Sequence, residues 1–293
     1  MPGDPQPDVR VDPYLGHTVH VVGNRQARPN LPTNTDVAAC PFCVGGLEAP
    51  EPYDVRWFVN RWPAMPDARC EVVLYSPEHD ASFSSVGVAQ VRKVVDLWAE
   101  RTLALSSRPD VDYVLVFENR GASIGATISH PHGQIYAYDH VPERPWRMFS
   151  VGWRPDTAHE RLVERNRSFT CATQFAPVYP VAVTIAPHER RPDLVSLDSS
   201  ERDDLAEILV SSLRRIESLH PTSETPVPYM LWVNQRPATG THTDAWMSIE
   251  IVSPWRATGL PRFIAAAEVG AGEFFNPVVP EDLARSLREI QRP

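Results

Sequence analysis

With 293 residues, 42% hydrophobic and 22% charged, the chain is long enough to bury a substantial core as one large domain or two smaller ones. A formal net charge of -9 argues against nucleic acid as a partner, which needs a basic footprint, but leaves room for a local basic pocket around a small phosphorylated ligand. No apolar run approaches the ~20 residues of a membrane helix, and Met1 to Val11 is polar, so the expectation is a cytoplasmic protein with no membrane partner. Lys93 is the sole lysine, so almost every basic group available to a phosphate is the planar fork of arginine.

Residues 1–15 read as loose. His17 to Val22 reads as a strand, followed by the arginine pair Arg25 and Arg28. Cys40-Pro41-Phe42-Cys43 has the spacing of a metal knuckle, and in a chain expected to stay reduced a metal or redox role outranks a disulfide. Val55 to Val59 and Glu71 to Tyr75 read as strands, the second closed by Pro77-Glu78-His79. From Ser84 or Ser85 as N-cap, Val88, Val91, Val94, Val95 and Trp98 mark one face of a helix reaching about Leu105. Tyr113 to Phe117 is the next strand. Residues 140–175, dense in proline and charge, read as an irregular excursion.

Val181 to Ala186 is a strand closed by Pro187-His188. Asp198 or Ser199 caps a helix carrying Leu205, Ile208, Leu209, Leu213 and Ile216, and strands follow at Tyr229 to Val233 and Trp246 to Val252. Pro280 opens a last helix. The two halves run in parallel. Strand, Pro-x-His or Pro-His, helix, strand, Asn119, loop and final strand recur as strand, Pro187-His188, helix, strand, Asn234, loop and final strand. Such self-similarity points to a duplicated unit, and only the first copy holds paired histidines.

Those histidines, His130 and His132, follow the loop from Asn119 to Ser129. On one strand, residues two apart share a face and can serve one site. Pro131 between them suits a strand start or edge. Gly121 and Gly125 let the loop backbone turn sharply and approach a ligand closely. A histidine facing such a loop is well placed to meet a phosphate.

The run His130-Pro131-His132-Gly133-Gln134, with Phe117-Glu118-Asn119-Arg120-Gly121, the Cys-x-x-Cys, the Pro-x-His and the Arg-x-x-Arg-Pro elements in order, resembles the galactose-1-phosphate uridylyltransferase family of the histidine-triad superfamily. The resemblance implies an α+β fold of two histidine-triad-like units, a mostly antiparallel sheet with flanking helices. Residues 1–150 would form the catalytic half and 151–293 a degenerate half contributing the sugar side. It further implies that His132 takes a uridylyl group from a UDP-sugar as a covalent intermediate and passes it to a sugar 1-phosphate. Gln134 would hydrogen-bond the phosphoryl group. Arg25, Arg28, Asn60, Trp62, Asn119, Gly125 and Thr127 would bind the nucleotide, with the arginines reaching across a homodimer in some members. Cys40, Cys43, His79 and His130 would hold one structural zinc ion, and Arg262 and Glu268 would face the sugar.

Departures from the family pattern fall on the sugar side and on a second metal site that some members carry. Ala267 and Phe274 stand where tyrosine and glutamine are usual, so the sugar acceptor is expected to differ from galactose. Val233, Trp246, Ser248 and Ile251 occupy the positions matching the second metal's ligands, and Glu250 alone does not replace them. A histidine-triad hydrolase or phosphorylase, in which water or inorganic phosphate resolves the same intermediate, is the competing reading.

Overall fold

The computed structural model describes residues 8–22, 40–221, 226–242 and 244–290, so Arg25 and Arg28 lie outside the described residues. Strands β1 (Val9–Val11) and β2 (Thr18–His20) form a small hairpin, which corrects the reading of residues 1–15 as loose. The remaining elements build on one sheet. Its strands are β3 (Arg56–Val59), β4 (Cys70–Leu74), β5 (Tyr113–Arg120), β6 (His132–Tyr138), β7 (Leu162–Arg165), β8 (Phe169–Thr173), β9 (Val181–Pro187), β10 (Tyr229–Asn234) and β11 (Ser248–Ser253). Every pairing is antiparallel, in the order β3-β4-β6-β5-β10-β11-β9-β8-β7.

The internal repeat is visible in that order. The set β3-β4-β6-β5 is reproduced as β8-β9-β11-β10, and the two sets meet where Phe117 pairs with Trp232 and Asn119 with Met230. One sheet therefore runs through both halves. Period-two alternation decides its faces. Val73, Val114, Val116, Ile135, Val183, Ile185, Leu231, Val233, Ile249 and Ile251 are all buried in one core cluster. Helices α1 (Val88–Ser106) and α3 (Ser199–Ser218) cover that face, contributing Val91, Val95, Trp98, Leu205, Leu209 and Leu213. Burying each such side chain contributes about 1.5–3 kcal/mol. The residues between them, His132, Gln134, Phe117, Asn119, Trp232 and Glu250, belong to the opposite face.

Four further expectations are corrected. Helix α1 starts at Val88 with Gly87 at its N-cap and no side-chain cap, rather than at Ser84 or Ser85. Those serines are engaged in the preceding turn, where Ser82 Oγ meets Ser84 Oγ at 2.7 Å and the Ser82 N–H donates to Ser85 Oγ at 2.9 Å. Gly87 has φ 84°, which disfavours any other residue there. Residues 140–175 are not wholly irregular: they contain α2 (Glu143–Ser150), β7 and β8. Pro145 falls in the first turn of α2, where the backbone N–H has no intrahelical partner, so it does not break the helix. The strand after the loop opens at His132, leaving His130 before it. The last strand of the second copy opens at Ser248, because Trp246 turns aside and donates its Nε1–H to the Pro187 carbonyl at 3.0 Å. Short elements that the sequence pattern passed over close the chain: β12 (Trp255–Ala257), β13 (Leu260–Pro261) and α4 (Ala266–Ala271). Helix α5 (Pro280–Glu289) is as predicted.

The seam between the halves buries a carboxyl group. Glu118 is 3% exposed on the helix-covered face and accepts a hydrogen bond from Tyr229 Oη at 2.9 Å. Burial, set against weaker support from Arg120 and Tyr229, pushes its pKa up to about 8. The folded chain thus binds this proton more tightly than the unfolded chain. Its stabilising contribution is complete below the ordinary carboxylate range and is lost as pH rises through about 8. Replacing Glu118→Gln keeps the acceptor for Tyr229 and should flatten the decline in Tm between about pH 5 and 8. Superimposable Tm–pH profiles for the two proteins, followed by circular dichroism, would refute a protonated Glu118.

Candidate active site and metal centre

Cys40 and Cys43 lie on a tight turn that only glycine closes. A Cβ on Gly46 would fall 2.6–2.8 Å from the carbonyl oxygens of Cys40, Pro41 and Cys43. The Gly46 N–H donates to the Cys43 carbonyl at 2.8 Å and the Glu48 N–H to the Pro41 carbonyl at 2.9 Å. Phe42, Ala49, Val72 and Leu74 pack beneath the turn. This brings both sulfurs to His79 and His130. Cys43 Sγ lies 3.4 Å from His79 Nδ1 and 3.6 Å from His130 Nδ1, and the four ligand atoms all fall within 4.8 Å of one another. Metal bonds of 2.0–2.3 Å in a tetrahedron separate their ligands by roughly 3.3–3.8 Å. The group therefore has the composition and size to hold a metal ion.

The surroundings prepare His130 for that role. Its Nε2 donates to the Ser76 carbonyl at 2.8 Å and lies 2.9 Å from Tyr53 Oη, whose own hydroxyl donates to the Phe42 carbonyl at 2.7 Å. Nδ1 is left to point at the sulfurs, an arrangement in which the outer hydrogen bond fixes the tautomer. Burial depresses the His130 pKa to about 4, so the ring is neutral at physiological pH. Burial, with Cys40 beside it, pushes the Cys43 thiol up to about 11 when no cation is present. A bound cation reverses that balance by stabilising the thiolate.

His132 faces a different way. Its Nδ1 donates to the His130 carbonyl at 2.7 Å, which makes Nε2 the unprotonated nitrogen of the neutral ring. The Phe42 ring packs against it at a centroid distance of 5.1 Å. The pair of histidines thus serves two adjoining centres, since Pro131 lies before the strand and shared-face spacing does not apply to His130. A cavity of about 610 Å³ opens beside His132, lined by Asn119, Arg120, Ala126, Thr127, Gly259 and Pro261 among others. Gly121 (φ 101°) closes the near wall, where a Cβ would meet Pro228 Cβ at 2.9 Å. Gly125 (φ 88°) ends the short 3-10 turn at residues 122–124. The next strand residue is equally constrained, because a Cβ on Gly133 would lie 1.9 Å from Tyr75 Oη.

Gln134 and Asn60 lie farther along the open face, joined by Asn60 Nδ2 donating to Gln134 Oε1 at 3.3 Å. Gln134 Nε2 is then the end available to donate to a ligand. Asn60 Oδ1 accepts from the Trp62 N–H at 2.9 Å, which sets the chain direction after β3. Arg262 and Glu268 form a buried ion pair, both side chains 6% exposed. Glu268 Oε1 also accepts from the Phe275 N–H at 2.8 Å and Oε2 from the Ala265 N–H at 2.9 Å. Neither lines the cavity, although Gly259 and Pro261 just before them do. Tyr53, Tyr75 and Arg120 complete the surroundings and carry no motif of their own; Arg120 was visible only as the neighbour of Asn119. Val233 and Ile251 are core residues of the helix-covered face.

Two variants test the packing at Gly133. Gly133→Ala forces overpacking between β6 and Tyr75 and should cost roughly 2–3 kcal/mol, whereas Gly133→Ala with Tyr75→Phe should recover part of the stability. Equal Tm for Gly133→Ala and wild type by scanning calorimetry would contradict the packing described.

A family model for the galactose-1-phosphate uridyl transferase N-terminal domain matches residues 61–142, which span β4, the loop and the His130–Gln134 run. Across 97% of its length the chain is 30% identical to the galactose-1-phosphate uridylyltransferase of Thermotoga maritima, covering 98% of that protein. It is 32% identical to that of Streptomyces lividans, covering 97% of this chain and 87% of the relative. A solved uridylyltransferase structure superposes with a TM-score of 0.84 at 27% identity, over 96% of this chain and 97% of the other. With 30% identity over nearly the whole length of both chains and a matching fold, the chain belongs to the galactose-1-phosphate uridylyltransferase family.

Proposed function

We propose that this protein exchanges a uridylyl group between a UDP-sugar and a sugar 1-phosphate through a covalent intermediate on His132. The observation that carries this reading is the His132 Nδ1 hydrogen bond to the His130 carbonyl, which makes Nε2 the unprotonated nitrogen of a ring that lines the cavity. Nε2 attacks the α-phosphorus of the UDP-sugar. The Nε2–P bond forms, the P–O bond to the sugar phosphate breaks, and the sugar 1-phosphate leaves with the electron pair. The positive charge that develops on the imidazole is met at Nδ1–H by the His130 carbonyl, which needs no rearrangement to accept it. Transfer to the second sugar 1-phosphate runs the same step in reverse, and splitting one displacement into two allows one site to serve both sugars.

Around that step, Gln134 Nε2 donates to a phosphoryl oxygen while Asn60 holds its carbonyl end. Asn119 and Thr127, with the turn at Gly125, hold the remaining phosphate oxygens, and Asn60 and Trp62 take the uridine. Arg25 and Arg28 supply further positive charge. Cys40, Cys43, His79 and His130 hold one structural zinc ion: two thiolates and two neutral imidazoles are a set that zinc favours, and four protein ligands leave no open position for substrate. Bound there, the ion would have a structural part only, steadying the turn and His130, while His132 carries the chemistry. Residues 1–150 act as the catalytic half, and 151–293 as the supporting half that brings Arg262 and Glu268 toward the sugar. Phe263 (78% exposed), Val269 (72%) and Phe275 (68%) leave an apolar surface beside that pair, which supports a homodimer closed over it.

Three measurements test this. Intact-protein mass spectrometry after mixing with UDP-glucose should show a uridylyl-sized adduct on wild type and none on His132→Ala, with exchange falling roughly 10⁴-fold or more while the circular dichroism spectrum is kept. Turnover by the His132→Ala protein at the wild-type rate would sink the mechanism. If inorganic phosphate discharged the adduct as fast as sugar 1-phosphates do, the phosphorylase reading would replace transfer. Elemental analysis should find about one zinc per chain, and much less in Cys40→Ser and His79→Ala, each with a Tm lower by several degrees. Full zinc content in both variants would refute the ligand set. Phe263→Ser combined with Phe275→Ser should shift the sedimenting species from dimer toward monomer, and an unchanged sedimentation coefficient would place the dimer contact elsewhere.

A further inference from the structure

The repeat can be followed residue by residue through the sheet register. Phe117 faces Gln134 across β5 and β6, and Trp232 faces Glu250 across β10 and β11. Gln134 faces Val72 and Glu250 faces Thr184; Val72 faces Phe58 and Thr184 faces Ala172. Two residues beyond, the Asn60 N–H bonds the Cys70 carbonyl at 2.8 Å and the Gln174 N–H bonds the Ala182 carbonyl at 3.0 Å. The second half therefore places Gln174, Glu250, Asn234 and Ser248 where the first places Asn60, Gln134, Asn119 and His132. The side-chain contacts are repeated as well. Asn60 Nδ2 donates to Gln134 Oε1, and Gln174 Nε2 donates to Glu250 Oε2 at 2.7 Å. With serine at the nucleophile's position, this second constellation keeps a polar binding frame and lacks the group that reacts.

A cavity of about 450 Å³ opens on that frame, lined by Arg144, Arg154, Thr170, Thr184, Trp153 and Phe175 among others. Its two carboxylates are already matched. Glu250 accepts from Arg144 at 2.7 Å, Asn234 at 2.8 Å and Gln174, and Asp156 accepts from Arg161 at 2.6 Å and from the Ala158 N–H at 2.9 Å. Arg154 is different. Its guanidinium donates to the main-chain carbonyls of Gly152, Trp153 and Asp244 and lies 5.8 Å from the centre of the Trp246 ring, so among the described residues no carboxylate pairs with its charge. Arg144, held by Glu250 and Asn234, still has a half-exposed side chain at 58%. Hydroxyls at Thr170 and Thr184 and flat apolar faces at Trp153 and Phe175 complete the wall.

We infer that this cavity is a second, non-catalytic binding site for a phosphate monoester carrying a sugar. Arg154 receives the phosphate, its charge being the one left without a carboxylate partner. The threonine hydroxyls and Gln174 meet sugar hydroxyls, and Trp153 and Phe175 flank the ring. The floor of the site, Gln174, Thr184 and Glu250, is the sheet's own image of Asn60, Val72 and Gln134 on the open face next to His132, so the two faces offer related frames to related ligands, and only the first adjoins a histidine that can form a covalent adduct. The choice of ligand class rests on the uridylyl-transfer reading, while the existence of the cavity and of a guanidinium without a carboxylate partner does not.

Equilibrium dialysis of purified protein against UMP, and separately against glucose 1-phosphate, counts the sites. One of the two probes should saturate at two equivalents per chain in wild type, identifying the ligand as nucleotide or sugar phosphate. Arg154→Ala and Thr184→Val should each bring that probe to one equivalent, and both should form the uridylyl adduct from UDP-glucose as wild type does. A single equivalent of both probes in wild type would overturn the inference, and so would a second equivalent that persists in both variants. Because the adduct is measured on the same proteins, loss of the catalytic reading would appear separately, as two equivalents bound with no adduct formed.

Discussion

One hydrogen bond ties the two centres together, from His132 Nδ1 to the carbonyl of His130. His130 is fixed through its ring by Ser76 and Tyr53 on one side and by the cysteine sulfurs on the other. Fixing the ring fixes the peptide, and the peptide's carbonyl selects the tautomer of His132. Whatever disturbs the cluster of Cys40, Cys43, His79 and His130 therefore reaches the His132 ring through a single rigid residue. The following residue adds a second constraint from the opposite face, because Tyr75 leaves no room for a side chain at Gly133. The short run from His130 to Gln134 is thus held by the metal turn, by the strand start at His132, by core packing at Gly133 and by Asn60 at Gln134.

The sheet supplies the frame for this precision. Antiparallel pairing fixes register strictly when one face is buried, because a slip of one residue would turn the whole apolar set outward. Here the helix-covered face is a continuous core from Val73 to Ile251 across both halves, so the polar set on the other face is held in register as a consequence. The same logic holds the second copy, where Gln174, Glu250 and Asn234 keep mutual contacts with no histidine to serve. A polar network of that size on a partly open face is costly to leave unmatched. Arg144 from α2 matches it, stacking over Trp232 at 5.1 Å while bonding Glu250.

Much of this was legible in the sequence, for physical reasons that differ by element. Strands β4, β5, β9 and β10 announce themselves by runs of β-branched and aliphatic residues, and α3 by Asp198 and Glu201, which form the reciprocal cap that the pattern suggests. The four metal-site residues and the paired histidines could be named because the resemblance supplied the partners that spacing alone does not. Elements whose signals are overridden by context were missed. Prolines and charges concealed α2, since Pro145 is harmless in a first turn, and the serines before α1 bond one another instead of capping it. Tyr53 and Tyr75 were invisible because their importance lies in what they touch across the sheet, and no local pattern encodes that.

The sugar side is where sequence and geometry pull hardest against each other. Glu268 stands at a sugar-binding position by resemblance, yet three donors already converge on its two oxygens: Arg262, the Ala265 N–H and the Phe275 N–H. A carboxylate has about four acceptor positions, so at most one remains for a hydroxyl. The pair with Arg262 also caps α4 and shapes the turn into Phe275, which makes it part of the scaffold of the apolar surface at Phe263, Val269 and Phe275. Where tyrosine and glutamine would add donors to that wall, Ala267 and Phe274 add none. A sugar hydroxyl placed against them would lose its hydrogen bond to water without gaining another, and that asymmetry discriminates more strongly than shape alone. On the proposed sugar assignment, selectivity would arise from which hydroxyls the ligand does not direct at residues 267 and 274, as much as from the one that Glu268 could still accept.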